Sequence, residues 1–154
     1  IAKGKHMMAG YWKASKATEE AMRGGYFHTG DLGKMDEEGY LYLVGRRKDV
    51  ITSQGKIISP SEVEDIIYSH PSVLEAAVIG IPDEQLGEAV KAIIVLRPGA
   101  RATTEELMGL CRDYLSPHAI PGSVEFADSL PKSASGKILK RELRDKYTER
   151  TTQE

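Results

Sequence analysis

Residues 59–96 read SPSEVEDIIYSH-PSVLEAAVIG-IPDEQLG-EAVKAIIVL, and the succession of patterns in them decides the fold. Ser59-Pro60-Ser61-Glu62 opens a helix. Ser59 is placed to cap it, Pro60 fits the first turn, and Glu62 is spaced to complete a capping box. Val63, Ile66, Ile67 and His70 then recur at helical spacing, and Pro71 ends the helix because its ring disfavours helical geometry in the residue before it. Two apolar runs come next, 73–81 and 88–96, each of strand length and joined by the polar turn Pro82-Asp83-Glu84-Gln85-Leu86-Gly87.

Downstream the alternation continues. Pro98-Gly99 is a turn, and Thr103-Thr104-Glu105-Glu106 is a second capping box. It leads a helix whose apolar face is Leu107, Leu110, Cys111, Tyr114 and Leu115, stopped by Ser116-Pro117. A strand over 124–126, a polar loop, a helix over 138–147 and a frayed tail over 148–154 complete this half. Upstream, 50–52 and 57–58 form a hairpin turning on Ser53-Gln54-Gly55-Lys56. Before it lie two strands within 27–44, around the turn Asp36-Glu37-Glu38-Gly39, and Tyr40, Tyr42 and Val44 alternate there with Leu41 and Leu43, a pattern that suits cover on both faces. A short helix over 18–23, stopped by Gly24-Gly25, and an irregular segment over 1–12 precede these strands. The predicted class is α+β: a small domain with a β-hairpin and a three-stranded sheet, helices (about three) on the side opposite the sheet, and a strand-rich segment in front. The seam falls in the charged stretch Gly45-Arg46-Arg47-Lys48-Asp49.

Composition excludes several functions. The 154 residues carry 21 basic and 23 acidic side chains, a formal charge of −2, so no global field draws nucleic acid or an anionic membrane. A single cysteine, Cys111, leaves no internal disulfide or cysteine-rich zinc site, and its place in a helical apolar pattern reads as a buried thiol. His6, His28, His70 and His118 are scattered, and no metal motif is present. No apolar run has the length of a membrane span, and a cytoplasmic location is the expectation. The chain starts at Ile1 without a methionine, which reads as a cut inside a longer polypeptide.

Four places carry possible chemistry, each with a plainer alternative. Asp31 in Thr29-Gly30-Asp31 is able to accept both hydroxyls of a ribose, or to close a turn on its own backbone. The arginines of Gly45-Arg46-Arg47-Lys48-Asp49 suit phosphate through a bidentate fork, or form a solvated corner. Gly55 at a hairpin tip permits close approach of a ligand, or simply makes the turn. Ser129-Leu130-Pro131-Lys132-Ser133-Ala134-Ser135-Gly136-Lys137 is a flexible loop with two lysines, suited to neutralising developing negative charge or to lying solvated at the surface. It lacks the opening glycine of a phosphate-binding P-loop.

Taken together, Tyr26-Phe27-His28-Thr29-Gly30-Asp31, Gly45-Arg46-Arg47-Lys48-Asp49, Gly55, Pro60, Glu62-Val63-Glu64 and Pro131-Lys132 through Gly136-Lys137 closely resemble the end of the adenylate-forming superfamily. That group includes acyl-CoA synthetases, peptide-synthetase adenylation domains and firefly luciferase. Gly10-Tyr11-Trp12 is similar to the segment that precedes these motifs, so the resemblance covers nearly the whole chain. It implies two reactions: a carboxylate attacks ATP to give an acyl-adenylate and pyrophosphate, then a thiol, often that of CoA, displaces AMP. It further implies that Asp31 holds the ribose hydroxyls, that Arg46 contacts the nucleotide, and that Lys48 is the hinge, where other members often carry aspartate. Gly55 would approach the pantetheine arm, and Lys137 would reach the α-phosphate and the acid's carboxylate. On this resemblance, residues 1–47 are the end of a large N-terminal domain and 48–154 a mobile C-terminal domain.

One departure stands at the hairpin tip. Ser53-Gln54-Gly55-Lys56-Ile57-Ile58 replaces the second glycine, glutamate and asparagine found in many acyl-CoA synthetases, which leaves a carrier-protein thiol as an alternative to CoA. The phosphate loop, adenine pocket and acyl pocket of the family are absent from these residues. ATP and Mg2+ would therefore be held mainly by the missing N-terminal part, the partner of this chain, and the chain alone would not complete the reaction. Three readings are open: an acyl-CoA synthetase fragment, the end of a carrier-loading adenylation domain, or a non-catalytic interaction module. Unpaired edges within residues 1–45 predict that this segment is disordered or pairs between chains in a dimer. A monomer with 1–45 fully ordered would count against that expectation.

Overall fold

The computed structural model describes residues 1–151, which fall into two compact units, Ile1–Lys48 and a second beginning at Asp49. In the first unit, helix α1 (Ser15–Ala21) and a 3-10 turn (Arg23–Gly25) precede an antiparallel pair, β1 (Asp31–Met35) and β2 (Leu41–Arg46). The expected turn between these strands is built by Asp36, whose Oδ1 accepts the N–H groups of Glu38 (3.1 Å) and Tyr40 (2.8 Å). This first segment thus carries a helix, a 3-10 turn and a strand pair. The alternating Tyr40-Leu41-Tyr42-Leu43 run is not covered by the rest of the first unit: these four residues are 50–74% exposed.

The second unit begins with the hairpin β3 (Ile51–Ser53) and β4 (Lys56–Ile58), followed by α2 (Pro60–Tyr68), β5 (Val73–Asp83), β6 (Gly87–Leu96), α3 (Thr104–Tyr114), β7 (Ser123–Phe126) and α4 (Lys140–Thr151). Strands β5 and β6 pair antiparallel along their whole length, and they run further into their turn than the sequence pattern suggests. The opposite edge of β6 is shared: β3 meets it at Ser53↔Gly87, and β7 runs parallel to it from Lys91↔Ser123 to Ile94↔Phe126. The expected hairpin and three-stranded sheet are therefore one five-stranded sheet. Helix α4 continues through Thr151, so the expected tail is helical that far; its last residues, 152–154, lie outside the described residues.

Helices on one side only, the arrangement expected from sequence, is corrected by the packing. Ala76 and Val78 of β5 join Val90, Ala92 and Ile94 of β6 against α2 and α3. The intervening Ala77, Ile79, Ile93 and Val95 pack on Leu143 and Tyr147 of α4. Both faces of the hairpin are buried, which is why its strands read as continuous apolar runs instead of alternating. A register shift between Val73 and Glu75 changes the parity, placing Val73 with the α2–α3 face and leaving Leu74 41% exposed.

The helix starts differ from one another. Thr103 and Glu106 form the full capping box: Thr103 Oγ1 accepts the Glu106 N–H at 3.2 Å, and Glu106 Oε2 accepts the Thr103 N–H at 2.7 Å. Ser59 makes no side-chain cap to α2; it is buried, its backbone is extended, and Pro60 begins the helix without an N–H to satisfy. The apolar face of α3 is narrower than the sequence pattern: Leu107, Cys111 and Leu115 are buried, whereas Tyr114, the last helical residue, is 70% exposed. Cys111 is buried as expected, and burial pushes its thiol up. No helix among the described residues is long and apolar enough to cross a membrane.

Candidate active site

In the first unit the β1–β2 register makes Asp31 and Arg46 direct cross-strand partners. Their side chains form an ion pair, Arg46 Nε to Asp31 Oδ1 at 3.3 Å. The pair is exposed and worth at most about 1 kcal/mol, so it opens at little cost to a ligand that competes for either group. The Asp31 N–H donates to Thr29 Oγ1 (3.1 Å), and the Arg47 N–H donates to the Gly30 carbonyl (2.8 Å), which fixes the backbone around both residues. Thr29, Gly30, Arg46, Arg47 and Lys48 line a surface depression of about 460 Å³. Sequence reasoning named Asp31, Arg46 and Lys48 separately; the hairpin pairs Asp31 with Arg46, and Arg46 shares the depression with Lys48.

Lys48 lies in an exposed turn between two anchored neighbours. Arg47 before it is bonded to Gly30. Asp49 after it accepts from Arg144 of α4, Nη2 to Oδ1 at 2.7 Å.

Gly55 is the second residue of a two-residue turn. Gln54 (φ 51) and Gly55 (φ 72) are both left-handed, a geometry that matches the twist of a tight hairpin. A side chain at Gly55 would meet nothing within 4 Å, so its absence leaves an open backbone surface. The tip is held from the β5–β6 turn. The Gln54 N–H donates to the Leu86 carbonyl (2.8 Å), and the Thr52 N–H donates to Glu88 Oε2 (2.6 Å). Asp83 Oδ1 shapes that turn by accepting the N–H groups of Gln85 (2.9 Å) and Leu86 (2.8 Å).

The loop carrying Lys137 is more ordered than its composition suggests. Lys132 and Ile138 form a bridge, and the Leu139 N–H donates to the Pro131 carbonyl at 2.8 Å, closing a small hairpin. Its lysines have different fates. Lys132 is paired with Glu75 of β5, whereas Lys137 is exposed and ion-paired to no described residue. Beyond the loop, Lys140 pairs with Glu64 at 2.7 Å, both side chains largely buried. Glu64 also accepts the Val78 N–H (2.7 Å) from the outer edge of β5. Burial raises the Glu64 carboxyl, and Lys140 and the Val78 N–H offset this only in part.

Glu64 stood in a recognised motif without a role, and Glu75, Asp83, Glu88 and Ser133 were not singled out individually. Their partners are 14 or more residues away for Glu64 and 57 for Glu75, so spacing gives no signal. Ser133-Ala134-Ser135-Gly136 did signal a turn by residue type. Gly55 and Lys137 are not brought together. The Lys137 loop is tied near the start of β5 at Glu75 and the Gly55 tip near its end at Asp83–Leu86, about 26 Å of strand apart at ~3.3 Å per residue.

A family model for the AMP-binding enzyme C-terminal domain matches residues 62–137, from the start of α2 to the loop lysine. Residues 62–137 belong to that family. The chain itself has relatives over nearly all of its length. It is 46% identical over 149 residues to a long-chain-fatty-acid–CoA ligase of Bacillus subtilis, covering 97% of this chain and 27% of that protein. It is 44% identical over 147 residues to a feruloyl-CoA synthase of Amycolatopsis, covering 96% and 30%. Among solved structures, Bacillus subtilis o-succinylbenzoate CoA synthetase with its acyl-adenylate intermediate superposes at a TM-score of 0.87 with 39% identity, over 93% of this chain and 29% of that one. ATP-bound MatB from Rhodopseudomonas palustris gives 0.85 at 37% identity, over 95% and 29%. The chain therefore spans between a quarter and a third of the relatives it matches. Around this domain, among the described residues, no group of three or more His, Cys, Asp or Glu is able to hold a metal ion.

Proposed function

We propose that this chain is the carboxyl-terminal part of an ATP-dependent acid–thiol ligase of the acyl-CoA synthetase type. In the first half-reaction a carboxylate oxygen attacks the α-phosphorus of ATP and the bond to pyrophosphate breaks. In the second a thiol sulfur attacks the acyl carbon, AMP leaves with its phosphate oxygen, and the thiol proton goes to solvent. Lys137 supplies the first step with a mobile ammonium between two anions, which lowers their repulsion and stabilises charge developing at phosphorus. Asp31 accepts the ribose hydroxyls, and Arg46, once released from Asp31, is free to reach phosphate. Gly55 gives the pantetheine arm of CoA an open backbone to pass. Mg2+ belongs on this reading with the parts of the relatives that this chain does not span, as do the adenine and acyl pockets. The acid is a carboxylic acid, the enzyme lies in the cytoplasm, and the main partner of this chain is the large domain that precedes it.

The observation that carries this reading is the placement of Lys137 and Gly55 at opposite ends of the β5–β6 hairpin. A single cleft meets one or the other, never both, so a domain turning about Lys48 serves two reactions in sequence. The test uses the uninterrupted polypeptide that contains this sequence, wild type beside Lys137→Ala, with ATP, magnesium, CoA and a panel of acids. Lys137→Ala is expected to slow pyrophosphate release by about a hundredfold or more while still converting presynthesised acyl-adenylate to thioester. Equal rates of pyrophosphate release in the two proteins would remove Lys137 from the chemistry. Thioester formation on a carrier protein but not on CoA would move the chain to the carrier-loading enzymes.

A further inference from the structure

The side chain of Lys137 is ion-paired to no described residue, but its backbone is held from both sides by one residue. The Ser133 N–H donates to the Lys137 carbonyl at 2.9 Å, and the Lys137 N–H donates to Ser133 Oγ at 3.2 Å. The Ser133 carbonyl accepts the Gly136 N–H at 2.9 Å, and Gly136 is left-handed (φ 79), which turns the chain back. Ser133 Oγ also bonds Ser135 Oγ at 2.9 Å. One hydroxyl therefore sits inside a five-residue turn and sets where the Cα of Lys137 points. The outer frame is firm: Lys132 is fastened to Glu75 on β5, Lys140 to Glu64 on α2, and Lys132 bridges to Ile138. Within that frame the Oγ acceptor for Lys137 N–H is the one side-chain contact between the turn and the lysine's backbone.

We propose that Ser133 is a positioning residue for Lys137, orienting the ammonium for adenylate formation through its hydroxyl and contributing nothing to thioester formation. This rests on the reading of Lys137 given above. The four-carbon stem of lysine has many rotamers, and they start from the Cα–Cβ direction that the turn dictates. A turn that loses one bond spreads that direction, and fewer conformers place the ammonium between the two anions. The effect belongs to the rate of the first half-reaction rather than to ATP affinity, because the charge it serves develops in the transition state.

The experiment compares Ser133→Ala, Ser133→Thr, Lys137→Ala and Ser133→Ala/Lys137→Ala in the uninterrupted enzyme. Single-turnover pyrophosphate release reads the first half-reaction, and conversion of presynthesised adenylate with CoA reads the second. Ser133→Ala is expected to slow adenylate formation by about tenfold with KM for ATP nearly constant and the second half-reaction at the wild-type rate. Ser133→Thr, which keeps the hydroxyl, restores the first rate, and Ser133→Ala adds no further loss once Lys137 is alanine. Adenylate formation at the wild-type rate in Ser133→Ala would overturn the proposal, as would equal loss in the threonine and alanine variants, a parallel fall in both half-reactions, or full additivity in the double variant. If Lys137→Ala itself forms adenylate normally, the reading of Lys137 has failed; if it is slow while Ser133→Ala is fast, only the role of Ser133 has.

Discussion

Glu125 shows how one side chain ties a strand to a helix. Its Oε1 accepts the Tyr147 hydroxyl of α4 at 2.5 Å, its Oε2 meets Lys91 of β6 at 3.1 Å, and the Lys91 ammonium lies 4.6 Å from the centre of the Tyr147 ring. Burial raises the Glu125 carboxyl, but the Tyr147 hydroxyl and Lys91 outweigh it and hold the group below its ordinary value of 4.5. A depressed carboxyl contributes stability that is present above the unfolded-state value and lost as pH falls through the folded one. Tyr147→Phe keeps the ring and its cation contact and removes only the hydroxyl. It is expected to cost about 1 kcal/mol in urea unfolding at neutral pH, and the gap to wild type should narrow as pH falls below the ordinary carboxylate range. A gap that stays constant over that fall would mean that Glu125 is not the group linked to it. Glu64 works in the opposite direction: its carboxyl is raised, so its contribution is largest at low pH and declines as pH rises through the folded value. Comparing a variant with wild type isolates Glu125 from that opposing trend.

At the scale of elements, local signals were legible where they depend on neighbours in sequence. The Thr103–Glu106 box, the Asp36 turn, the Gln54-Gly55 tip and the apolar runs of β5 and β6 all arise from residue types within a few positions. Features set by distant pairing were not legible. The sheet's two covered faces, the union of the β3–β4 hairpin with β6 through Ser53↔Gly87, and the outer edge of β5 guarded by Glu64 require knowing which segments meet. The same division runs through the candidate site. Lys137 and Gly55 were visible in motifs and the turns around them in residue types, whereas the distant carboxylates that fasten those turns, Glu75 and Glu88, became visible only in three dimensions. Gly80 leaves room for the second: a Cβ there would stand 2.6 Å from Glu88 Oε1, the carboxylate that receives the Thr52 N–H beside the tip. The tip therefore depends on the β5–β6 turn, and Asp83→Ala, which frees Gln85 and Leu86, should loosen it. In the intact enzyme the expected result is a rise of about fivefold in KM for CoA, near 1 kcal/mol, with pyrophosphate release unaffected. An unchanged KM for CoA would detach the β5–β6 turn from thiol binding, and a matching loss of adenylate formation would make Asp83 a general stabiliser.

At the scale of the whole molecule the question is where a change of domain orientation is absorbed. The chain divides after Lys48, and on the function proposed above that residue is the hinge. Arg46 and Arg47 are tied to Asp31 and Gly30 in the first unit, and Asp49 is tied to Arg144 in the second. These anchors lie on either side of Lys48, so rotation about its own dihedrals breaks none of them. A hinge of this kind stores its motion in one pair of dihedrals, so it is sensitive to proline and tolerant of side-chain loss. Proline at 48 holds φ near −65° and also restricts Arg47 before it, which confines the domain to one orientation. Lys48→Pro in the uninterrupted enzyme is therefore expected to keep one half-reaction within a few-fold of wild type and to slow the other by about a hundredfold. Lys48→Ala leaves the dihedrals free and is expected to support both. Pyrophosphate release and adenylate-to-thioester conversion, measured separately on each variant, decide the matter. Equal slowing of both steps by proline would indicate local damage instead of a trapped orientation. Normal rates in both would place the pivot elsewhere in the turn, with Lys48 as a solvated lysine beside it.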